Sequence, residues 1–164
     1  KTANFSGGNQ QKIVLAREIE RKYELTRRCL QVLAEFKNPA AIITKNQLVL
    51  RDLDILKEMA KDHLVKVFIS ITTLDPELAR VMEPRTSSPR GRLNAIEQLA
   101  KNGVPVGVMA APMIPGLTDH EMPQILKAAA EAGAYTAGYT VVRLPHSVKA
   151  LFTQWLETPR PLAK

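Results

Sequence analysis

Cysteine is nearly missing from these 164 residues: Cys29 is the single one. One thiol closes no internal disulfide, which points to a reducing, cytoplasmic setting. Nor can one thiol hold an iron–sulfur cluster or a structural zinc, which take about four protein ligands. Glycine is missing between Gly8 and Gly91, so turns over that stretch are expected to rest on proline and asparagine, with Asn38-Pro39 and Asp75-Pro76 as breaks. Aromatic residues make up 5% of the chain, few platforms for stacking single-stranded bases. No apolar run approaches the roughly 20 residues of a membrane-spanning helix. The longest, Val104 to Ile114, carries Pro105 and Pro112. The opening Lys1-Thr2-Ala3-Asn4 lacks the apolar core of a secretion signal. Acidic residues are in deficit, 16 against 23 Lys plus Arg, and the net charge of +7 favours phosphate-bearing partners.

What is present reads as a folded α/β chain, with 45% apolar and 24% charged residues. Leu15, Ile19, Tyr23, Thr26, Leu30 and Leu33 recur at helical spacing, and Arg17, Arg21, Arg27 and Arg28 occupy the other side. The pattern predicts a long helix from about Gly8 to Phe36, capped by Ser6, with a break near Arg21 as the alternative. Strand and helix then alternate four times. Strands are expected at Ala40–Thr44, Val65–Ile71, Val104–Ala111 and Ala137–Leu144. Helices are expected at Leu48–Lys61, Pro76–Met82, Arg92–Asn102, Met122–Ala132 and Val148–Glu157. Connections too long for hairpins call for parallel strands with right-handed crossovers. Periodicity leaves an open sheet and part of a barrel equally available.

In parallel α/β proteins chemistry gathers at the carboxyl ends of the strands. There Lys45 and Arg143 offer cations to an anionic ligand, with Asn46 beside Lys45. Ser70 and Thr72 can hydrogen-bond a sugar hydroxyl, and Gly116 permits close approach to a planar ring. Asp119-His120-Glu121 has the composition of an acid–base or metal cluster, yet neighbouring residues on a helix start diverge, and a dipole-favoured helix N-terminus is the plainer reading. His146 is the histidine best placed to act, with His120 and Asp119 as further catalytic candidates; His63 reads as a solvated helix end. Cys29 lies beside Arg27 and Arg28, which could lower its pKa, or it is a half-buried structural residue.

From about Glu20 to Glu157 the chain resembles radical S-adenosylmethionine proteins of the spore-photoproduct-lyase-like group. The resemblance rests on ITKN (Ile43–Asn46), FISITT (Phe68–Thr73), MEPRTSSPRGRLNAI (Met82–Ile96), GVPVGVMAAPMIPGLTD (Gly103–Asp119) and AGYTVVRLP (Ala137–Pro145). It implies a partial (βα)₆ barrel and a 4Fe-4S cluster on a Cys-x₃-Cys-x₂-Cys loop. That cluster reduces S-adenosylmethionine to a 5′-deoxyadenosyl radical. By the same resemblance Ser70 and Thr72 lie beside the cofactor's ribose and methionine, and Glu83 and Arg85 sit on the following loop. The Met113-Ile114-Pro115-Gly116 turn backs the adenine, and Arg143 sits on the last matched strand. The three-cysteine loop and the two strands that begin the family barrel are not among these residues, so the expectation is an α/β partial barrel of about four βα units that keeps the shell and not the radical reaction.

Asn4 to Ile19, with Ser6-Gly7-Gly8 followed by a helix, resembles the signature motif of ATP-binding-cassette ATPases of sugar importers. In that family the serine, first glycine and helix start contact a γ-phosphate held by the opposite subunit, so Ser6, Gly7 and Gly8 are anion-binding candidates. No Gly-x-x-x-x-Gly-Lys-Ser/Thr loop accompanies them. The expected organisation is a signature-like segment over 1–20, a radical-SAM-like (βα)₄ domain over 21–158 and a tail over 159–164.

Three functional readings follow. The first is a cluster-free relative of a radical enzyme with weak nucleotide or anion binding at the strand ends. The second is a basic nucleic-acid-binding module, and the third a hydrolase using Asp119, His120, His146 and Arg143. The Ala40–Thr44 strand is expected to be a raw sheet edge, so a homodimer through that edge or through the amino-terminal helix is anticipated.

Overall fold

The structure, a computed structural model, describes residues 24–145 and 147–157. Helix α1 spans Leu25–Glu35, and strand β1 spans Ala40–Thr44. A 3-10 segment, Gln47–Asp52, leads into α2 (Leu53–Lys61), followed by β2 (Val65–Ser70), α3 (Pro76–Met82) and α4 (Pro89–Lys101). Then come β3 (Val106–Met113), a 3-10 turn (Asp119–Glu121), α5 (Met122–Glu131), β4 (Thr136–Val141) and α6 (Ser147–Glu157).

The four strands form one parallel sheet in the order β1-β2-β3-β4, so β1 and β4 are its edges. Alternation decides which face is covered. Val65, Val67 and Ile69 of β2 and Val106, Val108 and Ala110 of β3 are at most 2% exposed. They pack in one core with Leu56 and Met59 of α2, Ala95, Ile96 and Leu99 of α4, and Ile125 and Ala129 of α5. Each large side chain buried there contributes about 1.5–3 kcal/mol. The other face is open: Ala41, Ile43 and Lys66 are exposed, while Phe68 and Met109 are half-buried. Two glycines shape it. A Cβ on Gly107 would lie 2.7 Å from the Phe68 ring, and one on Gly138 would lie 2.8 Å from the Met109 sulfur. The two large side chains therefore lie flat across neighbouring strands and pave a shallow apolar floor.

Four helices end in the same way. After α1, α2, α4 and α5 a left-handed residue, Lys37, His63, Gly103 or Gly133, donates its N–H three residues back. The next residue (Asn38, Leu64, Val104 or Ala134) donates to the carbonyl five residues back at 2.8–3.0 Å. This pair of hydrogen bonds closes the helix and aims the chain into the following strand. The glycine-free stretch thus does not rest on proline and asparagine alone: Lys37 and His63 take φ values of 51° and 58°.

The long amino-terminal helix is corrected as well. Glu24 is left-handed (φ 48°, ψ 47°), so α1 starts at Leu25 rather than continuing from before it. Residues 8–23 of that expected helix, with its Ser6 cap, lie outside the described residues. The helix expected at Leu48–Lys61 is a 3-10 turn followed by α2, because the Asn46 side chain caps Leu48 N–H and starts a tighter turn. Helix α4 begins earlier than expected, where Ser88 accepts from Gly91 N–H and Pro89 fits the first turn.

Candidate functional site

The carboxyl ends of β1, β2 and β3 meet at a cluster of charged side chains. Lys45 leaves β1 and directs its ammonium to three acceptors: Glu83 Oε1 at 2.6 Å, Thr72 Oγ1 at 2.9 Å and the Ala111 carbonyl of β3 at 3.0 Å. The Thr72 hydroxyl also lies 3.0 Å from Glu83 Oε1 and 3.1 Å from the Ala111 carbonyl. On the far side of Glu83, Arg92 donates to Oε2 at 2.5 Å, to the Ser70 carbonyl at 3.0 Å, to the Ser87 carbonyl at 2.8 Å and to the Thr86 hydroxyl. Glu83 is thus held between two cations, one rooted in β1 and one in α4.

Burial sets the electrostatics. The Arg92 side chain is 1% exposed, Glu83 13% and Lys45 30%. Desolvation pulls the Lys45 ammonium below its ordinary 10.5, against the opposing pull of Glu83, and the charge of Arg92 adds to the lowering. Burial alone would push the Glu83 carboxyl up; the hydrogen bonds and charges of Lys45 and Arg92 outweigh it and hold the carboxyl below its usual 4.5. Glu83 is therefore an ionised acceptor.

The other candidates are placed as follows. The Asn46 side-chain Oδ1 accepts from Leu48 N–H and from the Ser87 hydroxyl, tying the β1 end to the 84–88 loop. Ser70 is buried at the end of β2. Arg85 is exposed on the loop after α3, and Arg143 is exposed beyond β4. Met113 and Ile114 are buried, and Thr118 Oγ1 accepts from Ile114 N–H. Gly116 is exposed with φ of 73°, and a Cβ there would meet nothing within 4 Å, so the turn's left-handed backbone is what calls for glycine. Asp119 accepts from Gly116 N–H at 3.0 Å, whereas Glu121 turns away to accept from the Thr73 hydroxyl and Leu74 N–H. The three residues Asp119, His120 and Glu121 thus diverge, and among the described residues no group of three or more His, Cys, Asp or Glu could hold a metal ion. His120 is exposed. His146, Ser6, Gly7 and Gly8 lie outside the described residues.

Sequence reasoning missed Arg92. The signal was there: Arg92, Ala95, Ile96 and Leu99 share one stripe of α4, and an arginine on a buried stripe needs carboxylate and carbonyl partners.

A parallel (βα) sheet covered by helices on one face places the chain among the α/β proteins. Comparison makes this specific: the radical SAM superfamily profile matches residues 7–129, and the chain belongs to that superfamily. An uncharacterized protein of Mycobacterium tuberculosis is 36% identical over 146 residues, covering 87% of this chain and 42% of that protein. An uncharacterized protein of Methanocaldococcus jannaschii is 32% identical over 105 residues, covering 64% of this chain and 39% of that protein. The chain thus spans about two-fifths of the length of these relatives. A spore photoproduct lyase variant, solved with bound AdoMet and dinucleoside spore photoproduct, matches the fold with a TM-score of 0.66 at 19% identity, over 88% of this chain and 43% of that one.

The superfamily implies S-adenosylmethionine and a 4Fe-4S cluster, and the residues fit the two unequally. An ammonium, an ionised carboxylate and hydroxyls at one sheet end suit the carboxylate, ammonium and ribose of S-adenosylmethionine. For the cluster, the 164 residues offer one thiol, and Cys29 is exposed on α1, away from the strand ends. The residues present do not fit that cluster. No helix among the described residues is long and apolar enough to cross a membrane.

Proposed function

We propose that this chain forms the cofactor-binding side of a radical SAM fold and binds S-adenosylmethionine, or its adenosyl part, weakly at the carboxyl ends of β1–β3, without holding the reducing cluster itself. The observation that carries the reading is the Lys45–Thr72–Glu83 cluster, whose ammonium and carboxylate sit side by side at the open end of the sheet. In this reading Lys45 attracts the ligand's carboxylate, Glu83 accepts from its ammonium or ribose, and Asn46, Ser70 and Arg85 line the rim. The Met113-Ile114-Pro115-Gly116 turn backs the base, and Arg143 adds positive potential.

The fusion to an ATP-binding-cassette signature segment belongs to the same proposal. It rests on the residues Asn4 to Ile19 alone, and the superfamily match already begins at residue 7, inside them.

Titration calorimetry with S-adenosylmethionine tests the binding. The chain should bind with a dissociation constant in the high micromolar to millimolar range. Lys45→Ala should weaken this at least about fivefold, the ~1 kcal/mol expected of one charge-assisted hydrogen bond. No heat at millimolar ligand, or equal affinity in a folded Lys45→Ala chain, rejects the proposal.

A further inference from the structure

Exposed large hydrophobic side chains are not spread evenly over the molecule. Five lie at the β1 end, on α1, β1 and the segment after it, with Phe36 72%, Ile43 65% and Leu48 53% exposed. Six lie at the β4 end, on its lead-in, the strand and α6, with Tyr139 65%, Val141 52% and Leu151 64% exposed. Only Val81 and Leu126 fall elsewhere among the described residues. Among the described residues both sheet edges therefore carry an unpaired ladder, with exposed apolar side chains on the strand or on the elements joined to it, a template for another strand.

The polarity of the two edges says which strand fits. All three ladders are parallel, so β1 and β4 run in the same direction at opposite ends of one sheet. If a second copy is turned by a two-fold axis parallel to the strands, its β4 meets the β1 edge in parallel, and its β1 meets the first copy's β4. The ladder then continues β1-β2-β3-β4-β1-β2-β3-β4 and closes on itself. Eight is the strand number at which a parallel barrel closes with an interior just filled by side chains. The core helices already cover one face only, which becomes the outside. The open face, with Ile43, Phe68 and Met109, becomes the interior. A two-fold pair satisfies both edges of both copies and leaves none to propagate.

We propose that two copies of this chain assemble edge to edge, β1 on β4 and β4 on β1, into a closed eight-stranded parallel barrel. The dyad sets two Lys45–Glu83 clusters on the same rim, facing each other across one mouth. This proposal does not rest on the ligand-binding reading, and its test uses no ligand.

Sedimentation velocity over a dilution series should give twice the mass of the chain. Ile43→Lys and Tyr139→Lys should each shift it to the monomer, by at least about tenfold in dissociation constant. Both positions are 65% exposed within the chain, so circular dichroism should stay unchanged. Geometry is read separately on a Cys29→Ser background with differently tagged copies and a short bis-maleimide. Copies carrying Ala41→Cys should couple to copies carrying Thr140→Cys and not to one another. A monomer at every concentration overturns the proposal. Coupling of Ala41→Cys copies to themselves, or a dimer untouched by Tyr139→Lys, overturns it in favour of a β1–β1 contact.

Discussion

At positions 37, 63, 103 and 133 the backbone makes one and the same turn, yet only the last two are glycine. A side chain in the left-handed region costs about 1–2 kcal/mol, and glycine's greater freedom in the unfolded chain returns roughly 0.5–1 kcal/mol of that. Lys37→Gly and His63→Gly should therefore each stabilise the fold by about 0.5–1 kcal/mol, a rise of roughly 2 °C in melting temperature at this size. The reverse changes should be ordered: Gly103→Ala meets open space and suffers the backbone cost alone, while Gly133→Ala also drives a Cβ to 2.7 Å from that of Ala100 and should melt lower. Glycine's punctuation at Gly103 and Gly133 was legible in the sequence; Lys37 and His63 were not, because nothing in either side chain announces a left-handed cap. Arg92 poses the opposite case, a charged residue whose partners are all distant in sequence. Arg92→Ala strips Glu83, the Ser70 carbonyl and the Ser87 carbonyl of a donor in a nearly dry site, and should cost about 3–5 kcal/mol in denaturant unfolding. The pH dependence has a definite sign. The folded carboxyl of Glu83 lies below its unfolded 4.5, so its stabilisation is complete above that pH and disappears as the pH falls through the folded value. Unfolding free energy measured on the acid side should drop less steeply in Glu83→Gln than in the unaltered chain.

Elements in the middle of the sheet and at its margins differ in what holds them. Among the described residues, strands β2 and β3 are buried on one face and paired on both sides, whereas β1 and β4 are paired on one side only. Helix α1 is fastened by Arg27, which reaches Asp52 at 3.4 Å and Asp54 at 2.5 Å, and this contact lowers the Asp54 carboxyl to about 2. On helix α6, Val148, Leu151 and Leu156 are exposed, and Phe152 stacks on Trp155 at 5.3 Å within the helix itself. Local stability follows buried contacts. In the Ile43→Lys chain, where assembly is broken, amides of α6 should exchange at least about 100-fold faster than those of β2 and β3, a difference of roughly 2.7 kcal/mol. Equal protection would mean that α6 opens only with the whole domain. The alternation of strands and helices was legible because each strand is an apolar run bounded by polar turns. The ends of the strands were less so: β3 starts two residues later than its apolar run, since Val104 N–H closes the cap of α4 instead of joining the ladder.

For the molecule as a whole, membership of the radical SAM superfamily and the chemistry of these 164 residues pull apart at one point. The fold agrees with that superfamily, and Lys45 and Thr72 of the strand-end cluster were visible in the sequence as polar residues following apolar strands. Which side chains touch was not, because Lys45, Thr72, Glu83 and Arg92 come together only once two crossovers have set β1, β2 and β3 side by side in register. The thiol count needs no fold to be read. A four-iron cluster takes about three or four thiolates converging on one loop, and a single cysteine on the surface of α1 cannot supply them, in one copy or in two. Anaerobic reconstitution with iron and sulfide should leave the desalted chain colourless, with well under about one tightly bound iron per chain, and Cys29→Ser should change nothing. Brown protein with stoichiometric sulfide from this chain alone would mean that more than two copies pool their thiols, or that ligands other than cysteine complete the coordination. Cys29→Ser then separates the two, since only a cluster built on the thiol would lose its iron.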